Sequence, residues 1–156
     1  MATRKTVPGL REVQLLAVVS GGGKIHRRSL ADGILIKDNH ITVSNEKALL
    51  ERAALTRSPL HGIEIEVQSL ESLKRVLESP LPDVIMLDNL SVEEMRLAIS
   101  QIKKLNTLGG DIRIEASGGV NLDSVRAIAE TGVDYISVGA LTHSSRSLNL
   151  TLDVAL

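Results

Sequence analysis

The sequence predicts an α/β protein, a parallel β/α barrel that is incomplete, and three observations predict it. Strand and helix alternate about five times after a first helix, with connections too long for hairpins, so the strands run parallel with crossover helices between them. The strands carry their polar chemistry at the C-terminal end (Lys37-Asp38, Glu66, Asp88-Asn89, Ser117, Gly139), the face where such barrels gather their sites. Residues 62–68 and 111–117 place Glu64, Glu66, Arg113 and Glu115 on one face, which suits a polar lumen better than a sheet covered on both sides. A closed eight-unit barrel takes about 250 residues, and this chain has 156.

In chain order, LREVQLLAVVS after Pro8-Gly9 has helical spacing and ends at Gly21 to Gly23. GILI (33–36) is a short apolar run suited to a buried strand. Ser44 is placed to cap a helix running to about Arg57. GIEIEVQ (62–68) alternates strictly, Ile63, Ile65 and Val67 on one face and Glu64 and Glu66 on the other. Ser69 opens a helix stopped by Pro80 and Pro82. DVIMLDN (83–89) reads as another buried strand. Ser91 with Glu94 three residues on forms a capping box for a helix that Gly109-Gly110 breaks. DIRIEAS (111–117) is a strand, Asn121 to about Glu130 a helix, and DYISVGA (134–140) the last clear strand. From Ser144 the tail is weakly patterned. The whole chain, 1–156, reads as one domain.

Composition narrows the function. Net charge is −1, so nothing global attracts nucleic acid or a membrane, and Tyr135 alone offers no stacking surface for bases. No apolar run approaches the roughly 18 residues that span a bilayer, and the absence of cysteine excludes thiolate metal sites and disulfides. A soluble, cytoplasmic protein is expected. Charge is uneven, however: residues 1–40 carry seven Lys/Arg against three acids, net +4, and the remainder is net −5.

Three groups of residues carry candidate chemistry. Arg4, Lys5, His26, Arg27 and Lys37 lie near the opening turns and a strand end, where they could clamp carboxylates or form a solvated basic face. Glu66 and Asp88 end consecutive strands. They could hold hydrated Mg²⁺ or ribose hydroxyls, or be lumen acids neutralised by Arg113 or Lys37. SGGV (117–120) and VGAL (138–141) put glycine at strand ends, where bare backbone N–H groups can approach a phosphate, the first just before a helix N-terminus. GGGKIH is neither a Walker loop nor a dinucleotide fingerprint, His26, His40, His61 and His143 lack zinc spacing, and no Ser sits in a GxSxG elbow.

Taken together, TRKTVPGLR (3–11), GGGKIHRRSLADGILIKDNHI (21–41), EIEVQSL (64–70), IMLDN (85–89), EASGGVNL (115–122) and GVDYISVGALTHS (132–144) closely resemble quinolinate phosphoribosyltransferase, the carboxylating nicotinate-nucleotide pyrophosphorylase family of NAD biosynthesis. The resemblance implies a type II phosphoribosyltransferase barrel. It implies transfer from phosphoribosyl pyrophosphate to quinolinate with loss of CO₂, a requirement for Mg²⁺, and a homo-oligomer, dimer or higher. By resemblance, Thr3, Arg4, Lys5, His26, Arg27 and Lys37 surround the quinolinate dicarboxylate and the pyrophosphate. Glu66 and Asp88 face the ribose and the Mg²⁺, through water or ribose, and Ser117, Gly118, Gly119, Val138, Gly139 and Ala140 hold the 5′-phosphate. Lys5, Lys37, Glu66 and Asp88 are the catalytic candidates. The chain resembles only the C-terminal barrel portion: the family's N-terminal domain and the strand before the TRK turn are absent, and Leu15 stands where the family pattern has a basic residue. The isolated chain is therefore expected to be weak or inactive, with an open barrel edge prone to association. Alternatives are a related phosphoribosyltransferase for another ring, an aldolase-type barrel with Lys37 as Schiff-base lysine, and a non-catalytic phosphate-binding fragment.

Overall fold

The computed structural model describes residues 1–154. Its elements are α1 (Arg11–Ser20), β1 (Ile34–Ile36), α2 (Asp38–Ile41), α3 (Glu46–Thr56), β2 (Ile63–Val67), α4 (Leu70–Leu77), β3 (Val84–Asp88), α5 (Val92–Asn106), β4 (Arg113–Ser117), α6 (Val125–Ala129), β5 (Tyr135–Ile136) and α7 (Ala140–His143). All strands are parallel and lie side by side in sequence order, β1-β2-β3-β4-β5.

The period-two pattern of each strand sorts its side chains between two environments. Ile36, Ile63, Ile65, Val67, Ile85, Leu87, Ile114 and Ala116 are buried in one core with Leu50 and Ala53 of α3, Leu73 and Val76 of α4, and Met95, Ala98, Ile99 and Ile102 of α5. Each fully buried Leu or Ile contributes roughly 1.5–3 kcal/mol, and this outer layer is what fixes the strand register. The alternate residues, Leu35, Glu64, Glu66, Met86, Glu115 and Ser137, line the cavities on the inner side.

Local chemistry starts the helices. Ser69 Oγ accepts from the Ser72 N–H, and Ser91 and Glu94 form the reciprocal capping box. The third cap is Asn45, not Ser44: Asn45 Oδ1 accepts from the Ala48 N–H at 2.9 Å, while the Ser44 N–H closes the preceding turn onto the His40 carbonyl. The last strand is also shorter than its pattern suggests. Pairing with β4 ends at Ile136, and from Gly139 the chain turns directly into α7.

Beyond β5 the sheet continues without regular strands. The Val138 N–H donates to the Met1 carbonyl, the Ala2 N–H to Lys24, and the His26 N–H to Ala2. Residues 1–2 therefore lie between β5 and residues 24–26, and β5 is not the open edge. Among the described residues no backbone hydrogen bond joins residues 24–26 to β1, so the ring stays open there. Leu15 is the buried residue of α1.

Candidate active site

At the C-terminal ends of the strands lies a cavity of about 580 Å³. Thr3, Arg4 and Lys5 line it from the opening turn, His26 and Arg27 from the following segment, and Lys37, Glu66, Asp88 and Ser117 from the ends of β1, β2, β3 and β4, with Gly118 and Gly119 just beyond. Residues from across the whole chain thus meet at one mouth because parallel strands all end on the same side.

The cationic wall is held in place from behind. The Lys5 N–H donates to Thr3 Oγ1 at 3.2 Å, which folds the turn on itself. The Thr142 hydroxyl, fully buried, donates to the Lys5 carbonyl at 2.7 Å and ties that turn to α7. Neither Arg4 nor Arg27 has an ion-pair partner among the described residues. Burial, and then the charge of Arg4, push the Arg27 guanidinium below its ordinary pKa. Two unpaired, mutually repelling guanidiniums are what an anion would relieve.

The acidic wall is a chain of contacts. Lys37 Nζ lies 2.6 Å from Glu66 Oε2, Gln68 Nε2 donates to both Glu66 Oε1 (3.3 Å) and Asp88 Oδ2 (3.4 Å), and Asn89 Nδ2 donates to Asp88 Oδ2 at 2.9 Å. Lys37 is therefore the neutralising cation for Glu66. Arg113 is not: it lies at the opposite end of β4, half exposed, facing Asp111 and Asp134. Its place on the lumen side of the strand carries it out through the far mouth. Asp88 Oδ1 has no hydrogen-bond partner among the described residues.

The glycines close the rim. Gly118 has φ +92°, and a Cβ there would sit 2.2 Å from Asn89 Oδ1 and 2.8 Å from the Asn89 N, so only glycine lets β3 and β4 end side by side. No helix N-terminus stands directly behind this pair, contrary to the sequence reading, because residues 121–124 first form an Asx turn on Asn121 and α6 begins only at Val125. Val138, Gly139 and Ala140 do not line the cavity. They sit beside it, where a Cβ on Gly139 would lie 2.8 Å from His143 Nε2 and 3.7 Å from the Lys5 side chain.

Beneath the cavity His26 turns into the lumen. Its Nε2 lies 2.8 Å from Glu64 Oε2 and 3.4 Å from Glu115 Oε2. Burial lowers the His26 pKa, but the hydrogen bond and charge of Glu64, with the charge of Glu115, outweigh it and leave it raised. Burial, then the Glu64 charge, push the Glu115 carboxyl up to about 7.

Sequence reasoning missed Gln68, named Asn89 only as a polar strand end, and missed Ser137, all of which line the cavity, and His143, which packs on Gly139. The signal for the first two was available, since Gln68 follows Glu66 by one strand repeat and Asn89 follows Asp88. Ser137 and His143 carried none.

Residues 1–153 match the family model described as quinolinate phosphoribosyl transferase, C-terminal domain. Over 97% of its length the chain is 42% identical to a nicotinate-nucleotide pyrophosphorylase [carboxylating] of Mycobacterium leprae, covering 52% of that protein. It is 43% identical to a probable nicotinate-nucleotide pyrophosphorylase [carboxylating] of Bacillus subtilis over 99% of the chain and 51% of that protein. The crystal structure of the nicotinate-nucleotide pyrophosphorylase from Francisella tularensis superposes with a TM-score of 0.81 at 38% identity, over 93% of this chain and 49% of that one. The chain thus spans about half the length of the curated relatives it matches.

Proposed function

The chain belongs to the quinolinate phosphoribosyl transferase family, within its C-terminal domain, and from that premise we propose that its cavity transfers a phosphoribosyl group from phosphoribosyl pyrophosphate to quinolinate. The ring nitrogen of quinolinate attacks the ribose carbon as pyrophosphate leaves; the carboxylate beside that nitrogen then departs as CO₂, drawn by the new positive charge on the ring, and the electron pair left on that ring carbon takes up a proton. The products are nicotinate mononucleotide, pyrophosphate and CO₂.

One observation supports this reading: Arg4 and Arg27, cations without carboxylate partners among the described residues, share a cavity with the carboxylates Glu66 and Asp88. The cationic side suits a substrate with two carboxylates. Arg4, Lys5, His26, Arg27 and Lys37 orient quinolinate and steady the departing pyrophosphate, each charge-assisted bond contributing roughly 1.5–3 kcal/mol. Glu66 and Asp88 meet the ribose hydroxyls. Ser117, Gly118 and Gly119 receive the 5′-phosphate, with Val138, Gly139 and Ala140 behind them. The chemistry needs positioning and electrostatics more than proton transfer.

The oxygen-rich donor set on the acidic wall fits Mg²⁺, and Asp88, with Oδ1 uncommitted, is the residue to hold it through water, with Glu66 nearby. Bound there, the ion supplies charge neutralisation for the pyrophosphate. The engagement of Lys37 Nζ with Glu66 speaks against a Schiff-base role for that lysine. Among the described residues no helix is long and apolar enough to cross a membrane. A homo-oligomer acting in the cytoplasm completes the proposal.

Calorimetry with quinolinate and with nicotinate tests it. Quinolinate is expected to bind at least tenfold more tightly, since one charge-assisted contact is worth about that factor, and Arg27→Ala should erase the difference. Equal affinity for the two acids overturns the assignment.

A further inference from the structure

Below the cavity, and outside every role given above, lie two glutamates whose burial needs a reason. Glu64 and Glu115 point into the lumen from β2 and β4, Glu115 only 1% exposed. One oxygen of each approaches His26 Nε2; the other, Oε1, is buried with no hydrogen-bond partner among the described residues in Glu64, and in Glu115 has only the Ser137 hydroxyl beside it. A carboxylate buried with an orphan oxygen is costly, and a fold keeps such a group where its charge serves another group.

We infer that Glu64 and Glu115 are positioning residues that hold His26 as a doubly protonated, cationic ring, with its Nδ1–H edge presented to the substrate cavity. The geometry supports this directly. Nε2 lies 2.8 Å from Glu64 Oε2 and carries the proton of that bond, with Glu115 Oε2 farther off at 3.4 Å. Nδ1 has no hydrogen-bond partner among the described residues, and His26 lines both the upper cavity and a second one, about 340 Å³, below it. Arg27 and Leu35 share this place, lining both cavities as well. With a carboxylate clamp on Nε2, the ring is fixed in plane, and its other edge is left as a donor for an anionic ligand above.

The charges facing the ring are Glu64 on β2, Glu115 on β4 and Arg27 beside it, and they oppose each other. Arg4 and Asp32 act on Arg27, and the Met1 amine acts on Glu115. β1 and β3 present Ile34, Leu35, Val84 and Met86 to this part of the lumen, β5 presents Tyr135 and Ser137, and Lys24 and Asp32 also line the lower cavity. Glu64, at the shorter distance, is the stronger holder. The raised pKa of His26 agrees with this arrangement. Because the ligand contacted is the one assigned under the proposed function, the inference rests on that reading for its purpose, though not for its geometry.

Histidine ring ¹⁵N spectra of the labelled protein across pH 5 to 9, with His26→Gln to assign the signals, separate the two. With no ligand present, His26 is expected to remain doubly protonated at neutral pH. In Glu64→Gln its midpoint should fall by about one unit or more, a tenfold change in proton affinity, and in Glu115→Gln by less. Quinolinate affinity at pH 7.5 should drop roughly tenfold in Glu64→Gln. A neutral His26 at pH 6.5 in the unaltered protein overturns the inference whether or not quinolinate binds. So does a midpoint unmoved in both glutamine variants, or loss of the His26 signals on adding Mg²⁺ or Zn²⁺, which would make the three residues a cation site. If the ring titrates as expected but quinolinate does not bind, the inference stands and the substrate assignment fails.

Discussion

The two ends of the strands treat their polar residues in opposite ways. At the N-terminal end, Asp83 Oδ2 accepts from the Ile63 N–H at 2.7 Å and Asp134 Oδ2 from the Ile114 N–H at 2.8 Å, each acid opening one strand and stapling the backbone of the strand before it. Asn106 does similar work, bonding both the N–H and the carbonyl of Ile112. At the C-terminal end the polar side chains bond mainly one another, as in Lys37, Glu66, Gln68, Asp88 and Asn89, or have no ion-pair partner among the described residues, as in Arg4 and Arg27. One end uses its polar groups on its own backbone and the other leaves them for something else. The same residue types hold the backbone below and are proposed to bind ligand above, a division known for barrels generally.

The largest effect that would sharpen this contrast comes from the upper rim, where glycine is a structural requirement. Gly118→Ala pushes a methyl into Asn89 at a positive φ, and a loss of about 3 kcal/mol is expected in urea unfolding, with quinolinate binding abolished. Gly119→Ala, also at positive φ but with open space around its Cβ, should cost about 1 kcal/mol. Next comes the lower end. Asp83→Ala orphans the Ile63 N–H and should cost about 2 kcal/mol while leaving quinolinate affinity unchanged. Asp88→Ala should do the reverse. If Asp83→Ala weakened binding and Asp88→Ala weakened the fold, the division between the two ends would be wrong.

How much of this was legible in the sequence follows from what kind of information each feature needs. The strand faces were readable because burial on both sides still leaves a period of two: Ile63, Ile65 and Val67 against Glu64 and Glu66 is the pattern of one strand alone. The caps at Ser69 and Ser91 were readable because the partner lies three residues on. Asn45 was misread as Ser44 because both are good caps and only the backbone angle separates them. The staples of Asp83 and Asp134 were invisible, since each partner lies 20 residues back and across a strand boundary. The clamp on His26 was invisible for the same reason. The glutamates could be placed in the lumen, but nothing in spacing says that the histidine 38 residues before Glu64 turns down to meet them. The early end of β5 was missed because VGAL is as compatible with a strand as with the turn into α7.

A smaller effect should appear in the pH dependence of the fold, set by the middle of the lumen. The Glu115 carboxyl, ordinarily at 4.5, stands at about 7 in the folded chain, so the folded state holds a proton that the unfolded state has already released. Stability is then greatest below 4.5 and falls as pH rises toward 7, flattening above it. Glu46 works the other way in a separate window. Burial raises its pKa, but Arg75 and Ser72 outweigh that and hold it below 4.5, and its contribution is lost as pH falls through that lowered value. Urea midpoints from pH 4.5 to 8 should decline in the unaltered protein, and Glu115→Gln should flatten the decline. A slope unchanged in that variant would place the titrating group elsewhere.

The smallest effect is the most discriminating test of the comparison, because it sets two arginines of opposite station against each other. Arg113 shares the lumen side of β4 with Glu115 and Ser117, yet it emerges at the lower mouth, more than half exposed, at 3.9 Å from Asp111 and 3.6 Å from Asp134. Exposed pairs at such distances are worth little, so Arg113→Ala should change stability by no more than about 0.5 kcal/mol and leave quinolinate affinity untouched. Arg27, at the upper mouth, has burial and Arg4 working against its charge and no carboxylate partner among the described residues, so its removal should relieve repulsion in the empty protein. Arg27→Ala is therefore expected to leave the urea midpoint equal or slightly higher while the dicarboxylate is lost from the calorimeter. A cation whose loss helps the fold and harms the ligand is held there for the ligand, and Arg113 supplies the control in which neither changes.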